Sequence, residues 1–202
     1  MNEVLEILKR VGAVVEGGHY IGVSGSHFGT YMNKDALYMH TEEVSKVCGI
    51  IAEKYAGEGI EIVAAPATGG IVLSQWTAHH LSSVEGREVL SIYTEKNKEG
   101  VQVLKRGYDV VAQGKRVLVL EDNVSTGNSV LQTIQAIKAA GADVVGVCAL
   151  VNRDPKEVNT AKLGAPLNSL VEYPVEMYPK EDCPLCQKGV AININLGHGS
   201  LF

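Results

Sequence analysis

Val117, Leu118, Val119 and Leu120 follow one another with no polar residue between them. A strand with one wet face alternates apolar and polar side chains. An unbroken run of this kind belongs to a strand covered on both faces, as in a parallel sheet layered between helices. "EIVAAP" (61–66), "EVLSIYTE" (88–95) and "DVVGVCALV" (143–151) read as further strands. Helical patterns separate them. Thr41 is placed to cap a helix reaching Tyr55 and closed by Gly57 and Gly59, and "GIVLSQWTAHHLSSVEG" forms a second helix. Val130, Leu131, Ile134 and Ile137 lay an apolar stripe along a third, which Gly141 ends. Strands alternating with helices predict an α/β fold with a central parallel sheet flanked by helices, and ligands at the carboxyl ends of its strands.

The flanks have another character. "GGHYIGVSGSHFGTYMNKDALYMH" (17–40) has short alternating segments suited to a hairpin or small sheet, and the tail after Pro166 reads as irregular, with prolines at 174, 179 and 184. The expected organisation is a single domain over 1–202, with a core at roughly 41–165 and a small hood from roughly 1–40 and 166–202. A formal charge of -5 and a pI near 5.7 argue against a nucleic-acid surface. The first residues form an amphipathic helix (Val4, Leu5, Leu8, Val11), not a signal peptide, and no apolar run approaches the roughly 20 residues that cross a bilayer. Four cysteines make no disulfide framework, so a cytoplasmic protein is expected.

Three loops follow core strands. After Leu120 come Glu121 and Asp122, then Asn123, Val124, Ser125, Thr126, Gly127, Asn128 and Ser129. These offer hydroxyls, backbone N–H groups freed by a glycine and a helix start, the chemistry of a phosphate cradle. "PATGGI" (66–71) is a second glycine-rich turn into a helix, with Thr68, Gly69 and Gly70 placed for an anion. The third loop, "TEKNKEGVQVLKRGYD", carries Lys96, Lys98, Lys105 and Arg106 and reads equally as a solvated hairpin. A ligand with a monophosphate at one end, a pyrophosphate at the other and a sugar between them would use all three. The acidic pair then faces sugar hydroxyls and a ring that becomes cationic, which explains carboxylates at the mouth of an anion site. The competing structural reading makes Ser125, Thr126 and Ser129 helix caps alone.

The stretch "VLVLEDNVSTGNS" resembles the 5-phosphoribosyl 1-diphosphate (PRPP) signature of type I phosphoribosyltransferases. "APATGGI", "YTEK…LKRGYD…GKRVLVLED", "VNRD" and "EDCPLCQKGV" occur in the order found in the orotate branch of that family, and "SGSH" looks like its substrate hood. The resemblance implies phosphoribosyl transfer from PRPP to a nucleobase, most of all orotate, in pyrimidine biosynthesis. It implies residues 121–129 on the ribose 5-phosphate and Thr68, Gly69 and Gly70 toward the pyrophosphate. Lys96, Lys105 and Arg106 belong on a mobile flap closing over a neighbour's site in a homodimer. Glu121, Asp122 and Lys96 take catalytic roles, and Ser24, Gly25, Phe28, Ser125 and Arg153 meet the base. Magnesium is held mainly by PRPP, with no dedicated protein ligands.

This chain departs from the orotate pattern in its hood. Val23 stands where many members carry a substrate-facing lysine, and Phe28 where a small hydroxyl residue is expected. A transferase for another base such as a purine, and a PRPP-sensing regulator without transferase activity, remain as alternatives. Arg153 reads either as a carboxylate grip or as part of a surface turn with Asp154. Cys183 and Cys186 in "CPLC" have metal-ligand spacing, but neither Cys48 nor Cys148 is placed to complete a site, so free thiols in an ordered tail are expected. His79 and His80 point in different directions from one helix and read as packing or surface residues.

Overall fold

A computed structural model describes residues 2–22, 24–197 and 199–201, so Val23 and what the sequence implies for it lie outside the described residues. The chain divides into two compact units, one of residues 1–39 with 174–202 and the other of residues 40–173.

In the first unit, α1 (Glu3–Arg10) is capped by Asn2, whose side chain accepts from Leu5 N at 3.2 Å. Acidic Glu3 and Glu6 stand in its first turn and Lys9 and Arg10 in its last, matching the helix dipole. Two antiparallel pairs follow. β1 (Val14–Val15) is joined by β4 (Tyr31–Met32), and between them β2 (Tyr20–Ile21) pairs with β3 (His27–Phe28). α2 (Lys34–Tyr38) ends this segment. The tail returns to the same unit. His27 exchanges backbone hydrogen bonds with Tyr178 (2.8 and 2.9 Å), and Asn193 N donates to His19 O at 2.8 Å.

The second unit begins with α3 (Thr41–Tyr55). Its cap position is His40 and Thr41 is already helical, so Thr41 does not act as the expected cap. Then come β5 (Ile62–Pro66), α4 (Gly69–Glu85), β6 (Leu90–Lys96), β7 (Gln102–Leu104), α5 (Tyr108–Ala112), β8 (Arg116–Val124), α6 (Asn128–Ala139), β9 (Asp143–Asn152), α7 (Thr160–Leu163) and β10 (Leu167–Glu172). Six strands form one sheet in the order β10-β9-β8-β5-β6-β7. It is mixed rather than purely parallel, because β7 runs antiparallel to β6 and closes one edge as a hairpin. β10 corrects the reading of the tail as irregular from Pro166. Its residues are mostly half-buried, so the edge strand shows no continuous apolar run, yet it pairs in parallel with β9.

The core forms where β5, β8 and β9 meet α6. Ile62, Val117, Val119, Val130, Ile134, Ile137 and Val147 are all buried there, the apolar runs and the helical stripe seen in the sequence. One irregularity interrupts β8 and β9. Val117 pairs with Val144 and Leu118 with Gly146, leaving Val145 as an extra residue. The chain steps from β5 outward to β6, then returns to place β8 on the other side of β5. The crevice beyond the carboxyl ends of β5 and β8 is therefore a topological switch point, where sheets of this class bind ligands.

Candidate functional site

β8 delivers Glu121, Asp122 and Asn123 to that crevice. Glu121 is 7% and Asp122 4% exposed. Asp122 N donates to Glu121 Oε1 at 3.2 Å. Two adjacent buried carboxylates are costly to fold and serve no packing purpose. Beyond them the chain turns through Gly127 (φ 78) into α6. Gly127 is required there twice over. The left-handed backbone disfavours other residues, and an added Cβ would stand 3.0 Å from Val158 Cγ1.

The turn encloses a cavity of about 140 Å³ lined by Glu121 and residues 123–130. The first-turn N–H groups of α6 have no acceptor within the helix, and its cap residue Gly127 supplies none from a side chain. Thr126 Oγ1 reaches Asn128 N only at 3.5 Å. Asn123 Oδ1 is buried with no hydrogen-bond partner among the described residues, a polar atom prepared for something other than the fold. Strand alternation divides the acidic pair: Glu121 and Asn123 line the cavity and Asp122 does not.

Across the switch point, α4 starts directly after β5. Ala67 N donates to Thr94 O at 2.8 Å, the Ala67–Thr68 peptide is cis, and the exposed Thr68 makes no side-chain cap. Gly70 has a packing reason as well, since a Cβ there would meet Ala65 Cβ at 2.6 Å. The N-terminus of this 17-residue helix thus opens at the same sheet edge as that of α6.

The basic loop is the β6–β7 hairpin, as its solvated reading expects. Lys96 ends β6 and is exposed, and Lys105 Nζ donates to Lys96 O at 3.3 Å. Arg106 donates to both oxygens of Glu95 (3.2 and 3.1 Å) and lies 5.9 Å from the centroid of the Tyr93 ring. Arg153 is buried, 8% exposed, which rules out the surface-turn reading. Its N–H donates to Val124 O at 2.8 Å, fixing it beside the end of β8.

In the hood unit, Ser24 Oγ lies 3.0 Å from Ser26 Oγ, and Gly25 (φ 79) makes the turn between them. Residues 24–26 line a recess of about 410 Å³ with Met177, Tyr178, Pro179, Lys180 and Glu181. Tyr178 and Lys180 carried no signal in the sequence, because the tail has no regular pattern. Phe28 is not available to a base: it is 2% exposed and its ring stacks on Tyr20, with centroids 6.1 Å apart. It is a core residue of the hood.

Other chemistry-bearing groups fall away from the crevice. His80 pairs with Ser45 Oγ at 2.9 Å and stacks on Trp76, the packing role expected of it. Burial pushes the Cys48 and Cys148 thiols up to about 12, leaving both protonated. A larger recess of about 580 Å³ lies between β7, α5 and α6, but Asp109 is its one charged lining residue among those described, which does not suit an anion. Among the described residues no helix is long and apolar enough to cross a membrane.

Comparison with known proteins agrees with this geometry. The family model for the phosphoribosyl transferase domain matches residues 33–163. The chain is 33% identical over 190 residues to an orotate phosphoribosyltransferase of Caldanaerobacter subterraneus subsp. tengcongensis, covering 94% of each chain. It is 35% identical to that of Thermus thermophilus, covering 94% of this chain and 98% of the relative. The crystal structure of orotate phosphoribosyltransferase from Aeropyrum pernix shares the fold, with a TM-score of 0.68 and 23% identity over 84% of this chain and 93% of that one. An adenine phosphoribosyltransferase from Thermoanaerobacter pseudethanolicus shares it too (TM-score 0.63, 16% identity, 84% of this chain and 99% of that one), so the fold by itself does not select the base. The chain belongs to the phosphoribosyl transferase domain family, and its curated relatives lie among the orotate phosphoribosyltransferases.

Proposed function

We propose that this chain transfers the phosphoribosyl group of PRPP to a ring nitrogen of orotate, releasing pyrophosphate and orotidine 5'-monophosphate. The observation that carries the reading is the small cavity at the start of α6, with hydroxyls and backbone donors on its wall and a buried carboxylate at its mouth. The 5-phosphate is held by residues 125–129 and the N-terminus of α6, and the pyrophosphate by Thr68, Gly69 and Gly70. Glu121 and Asp122 accept from ribose hydroxyls and favour the positive charge that develops as the bond to pyrophosphate lengthens. No side chain attacks. The nitrogen of the base forms the new bond at the ribose carbon, and the electron pair of the broken bond leaves with the pyrophosphate. Lys96, Lys105 and Arg106 steady the leaving group and exclude water, and the hairpin carrying them serves the neighbouring subunit of a homodimer.

Magnesium fits as an ion that arrives with the substrate. A hard divalent cation takes oxygen ligands and is commonly held through substrate phosphates with few ligands from the protein. When bound, it neutralises charge on the pyrophosphate.

Arg153 is assigned to the orotate carboxylate through paired guanidinium hydrogen bonds, with Ser125 beside it. The test is pyrophosphate release from PRPP with orotate, uracil, adenine, guanine or xanthine supplied singly. Orotate should be used best, and Arg153→Leu should lower kcat/KM for orotate by roughly a hundredfold, about 3 kcal/mol, while the PRPP KM stays within a few-fold. A purine turned over faster than orotate overturns the base assignment. Release with none of the five, in a protein that binds PRPP, favours the sensor reading.

A further inference from the structure

Four nitrogen and sulfur donor atoms converge inside the hood unit, on side chains that none of the roles above uses. His19 Nε2 lies 2.7 Å from His27 Nδ1, 3.7 Å from Cys183 Sγ and 3.8 Å from Cys186 Sγ, and Cys186 Sγ is 3.4 Å from His27 Nδ1. All four atoms lie within 4.8 Å of one another, the one such His/Cys/Asp/Glu group among the described residues. His19, His27 and Cys183 are 1%, 2% and 0% exposed. The "CPLC" cysteines, expected to be free thiols for want of two more ligands, find them in histidines 159 and 164 residues away along the chain.

We propose that these four residues form a structural zinc site. A Cys2His2 set is the donor combination that selects zinc, and closed four-ligand sites of this kind are structural. A tetrahedral ion with Zn–N and Zn–S bonds of about 2.0 and 2.3 Å sets N···S edges of about 3.5 Å and an N···N edge of about 3.3 Å. The observed N···S separations bracket the first value, and the two ring nitrogens part by roughly half an ångström to admit the ion. A histidine pair sharing one proton would account for the 2.7 Å contact, but it gives no reason for two sulfurs packed against the same nitrogens. The outer shell is in place too. His19 Nδ1 lies 2.8 Å from Val190 O, so it carries the proton and turns the lone pair of Nε2 toward the sulfurs.

The site joins the two ends of the chain. His19 immediately precedes β2 and His27 opens β3, on either side of the turn that carries Ser24 and Gly25, and Cys183 and Cys186 frame the start of α8 (Pro184–Gln187). One ion therefore fixes both walls of the hood recess, the 24–26 turn and the 177–181 segment.

The test uses the full chain without a histidine tag, purified under reductant. Elemental analysis should find one zinc per chain. Cobalt exchanged into the site should give the visible bands of a tetrahedral ion and a near-ultraviolet thiolate-to-cobalt band. Cys186→Ser, at the least buried of the four ligands, and His27→Asn should each lower zinc affinity by about a hundredfold in chelator competition. Stripping zinc from the wild type should lower its melting temperature, and adding the metal back should restore it. A reduced wild-type chain that takes up no zinc, cobalt spectra without the thiolate band, or a Cys183–Cys186 disulfide with full thermal stability in the absence of metal would each overturn the proposal.

Discussion

The turn at Gly127 allows a worked prediction, because two separate penalties act on one added methyl group. In Gly127→Ala the backbone must either keep its φ of 78, at about 1–2 kcal/mol for an L residue, or deform the cradle. The new Cβ also arrives 3.0 Å from Cγ1 of the buried Val158, and displacing that side chain costs about 1 kcal/mol more. The sum, about 2–3 kcal/mol, is large against the stability of a domain. Urea unfolding of four proteins separates the terms: wild type, Gly127→Ala, Val158→Ala and the double variant. In the Val158→Ala background the alanine should cost only the backbone part, leaving a coupling of about 1 kcal/mol between the two positions. Because residues 125–130 line the proposed phosphate cavity, Gly127→Ala should also raise the PRPP KM by about tenfold, the equivalent of roughly 1.4 kcal/mol. A cost below about 0.5 kcal/mol with an unchanged PRPP KM would refute both the strain and the cradle.

Three further outcomes are expected. Asp122→Asn should leave PRPP binding within a few-fold and cut turnover by roughly a hundredfold, as loss of charge opposite a cationic transition state requires; unchanged kcat removes that role. Lys96→Ala, and a variant with bulky residues at Ser125 and Ser129, should both be nearly inactive, and mixing them should restore activity if one subunit's hairpin serves the other; no recovery after confirmed subunit exchange assigns the hairpin to its own subunit. Glu61 accepts from Lys115 Nζ at 2.8 Å and from Arg116 N at 3.0 Å, which hold its carboxyl below the ordinary carboxylate value. A depressed folded-state pKa stabilises above the unfolded value and is lost as pH falls through the folded one. Glu61→Gln should therefore cost up to about 1 kcal/mol at pH 7, and that cost should shrink as pH falls through the folded-state value, read from urea midpoints across an acid series.

Much of this molecule was legible because burial writes itself into sequence. β8 and β9 are covered on both faces and show it as uninterrupted apolar runs, and α6 displays its stripe. The cradle announced itself through residues that packing alone would not choose. β10 escaped because a half-buried edge strand has no distinctive pattern, whereas β7 falls in the charged loop that already read as a solvated hairpin. Phe28 was assigned to the base from its place in the resemblance, whereas Tyr20 across the hairpin stacks on it and it is buried. The His–Cys cluster lay beyond local reading altogether. Its halves sit at opposite ends of the chain, brought together by tertiary contacts such as the antiparallel pairing of His27 with Tyr178 and the bond of Asn193 N to His19 O.

The extra residue Val145 bears on how this sheet tolerates change. Side chains alternate with period 2, so one unmatched residue shifts the phase of everything after it. Below Val145, Asp143 and Val144 pair with Arg116 and Val117 of β8; above it, β9 pairs with β8 from Gly146 and with β10 from Val147, in the register kept up to Asn152. The upper segment is the one that ends at Arg153. Insertion or loss of a residue near the foot of β9 can be absorbed by moving or erasing the bulge, while the same event above it would exchange the two faces and turn Arg153 away from the end of β8. The bulge thus works as an expansion joint: the foot of the sheet can drift in evolution while the phase of its working edge is kept.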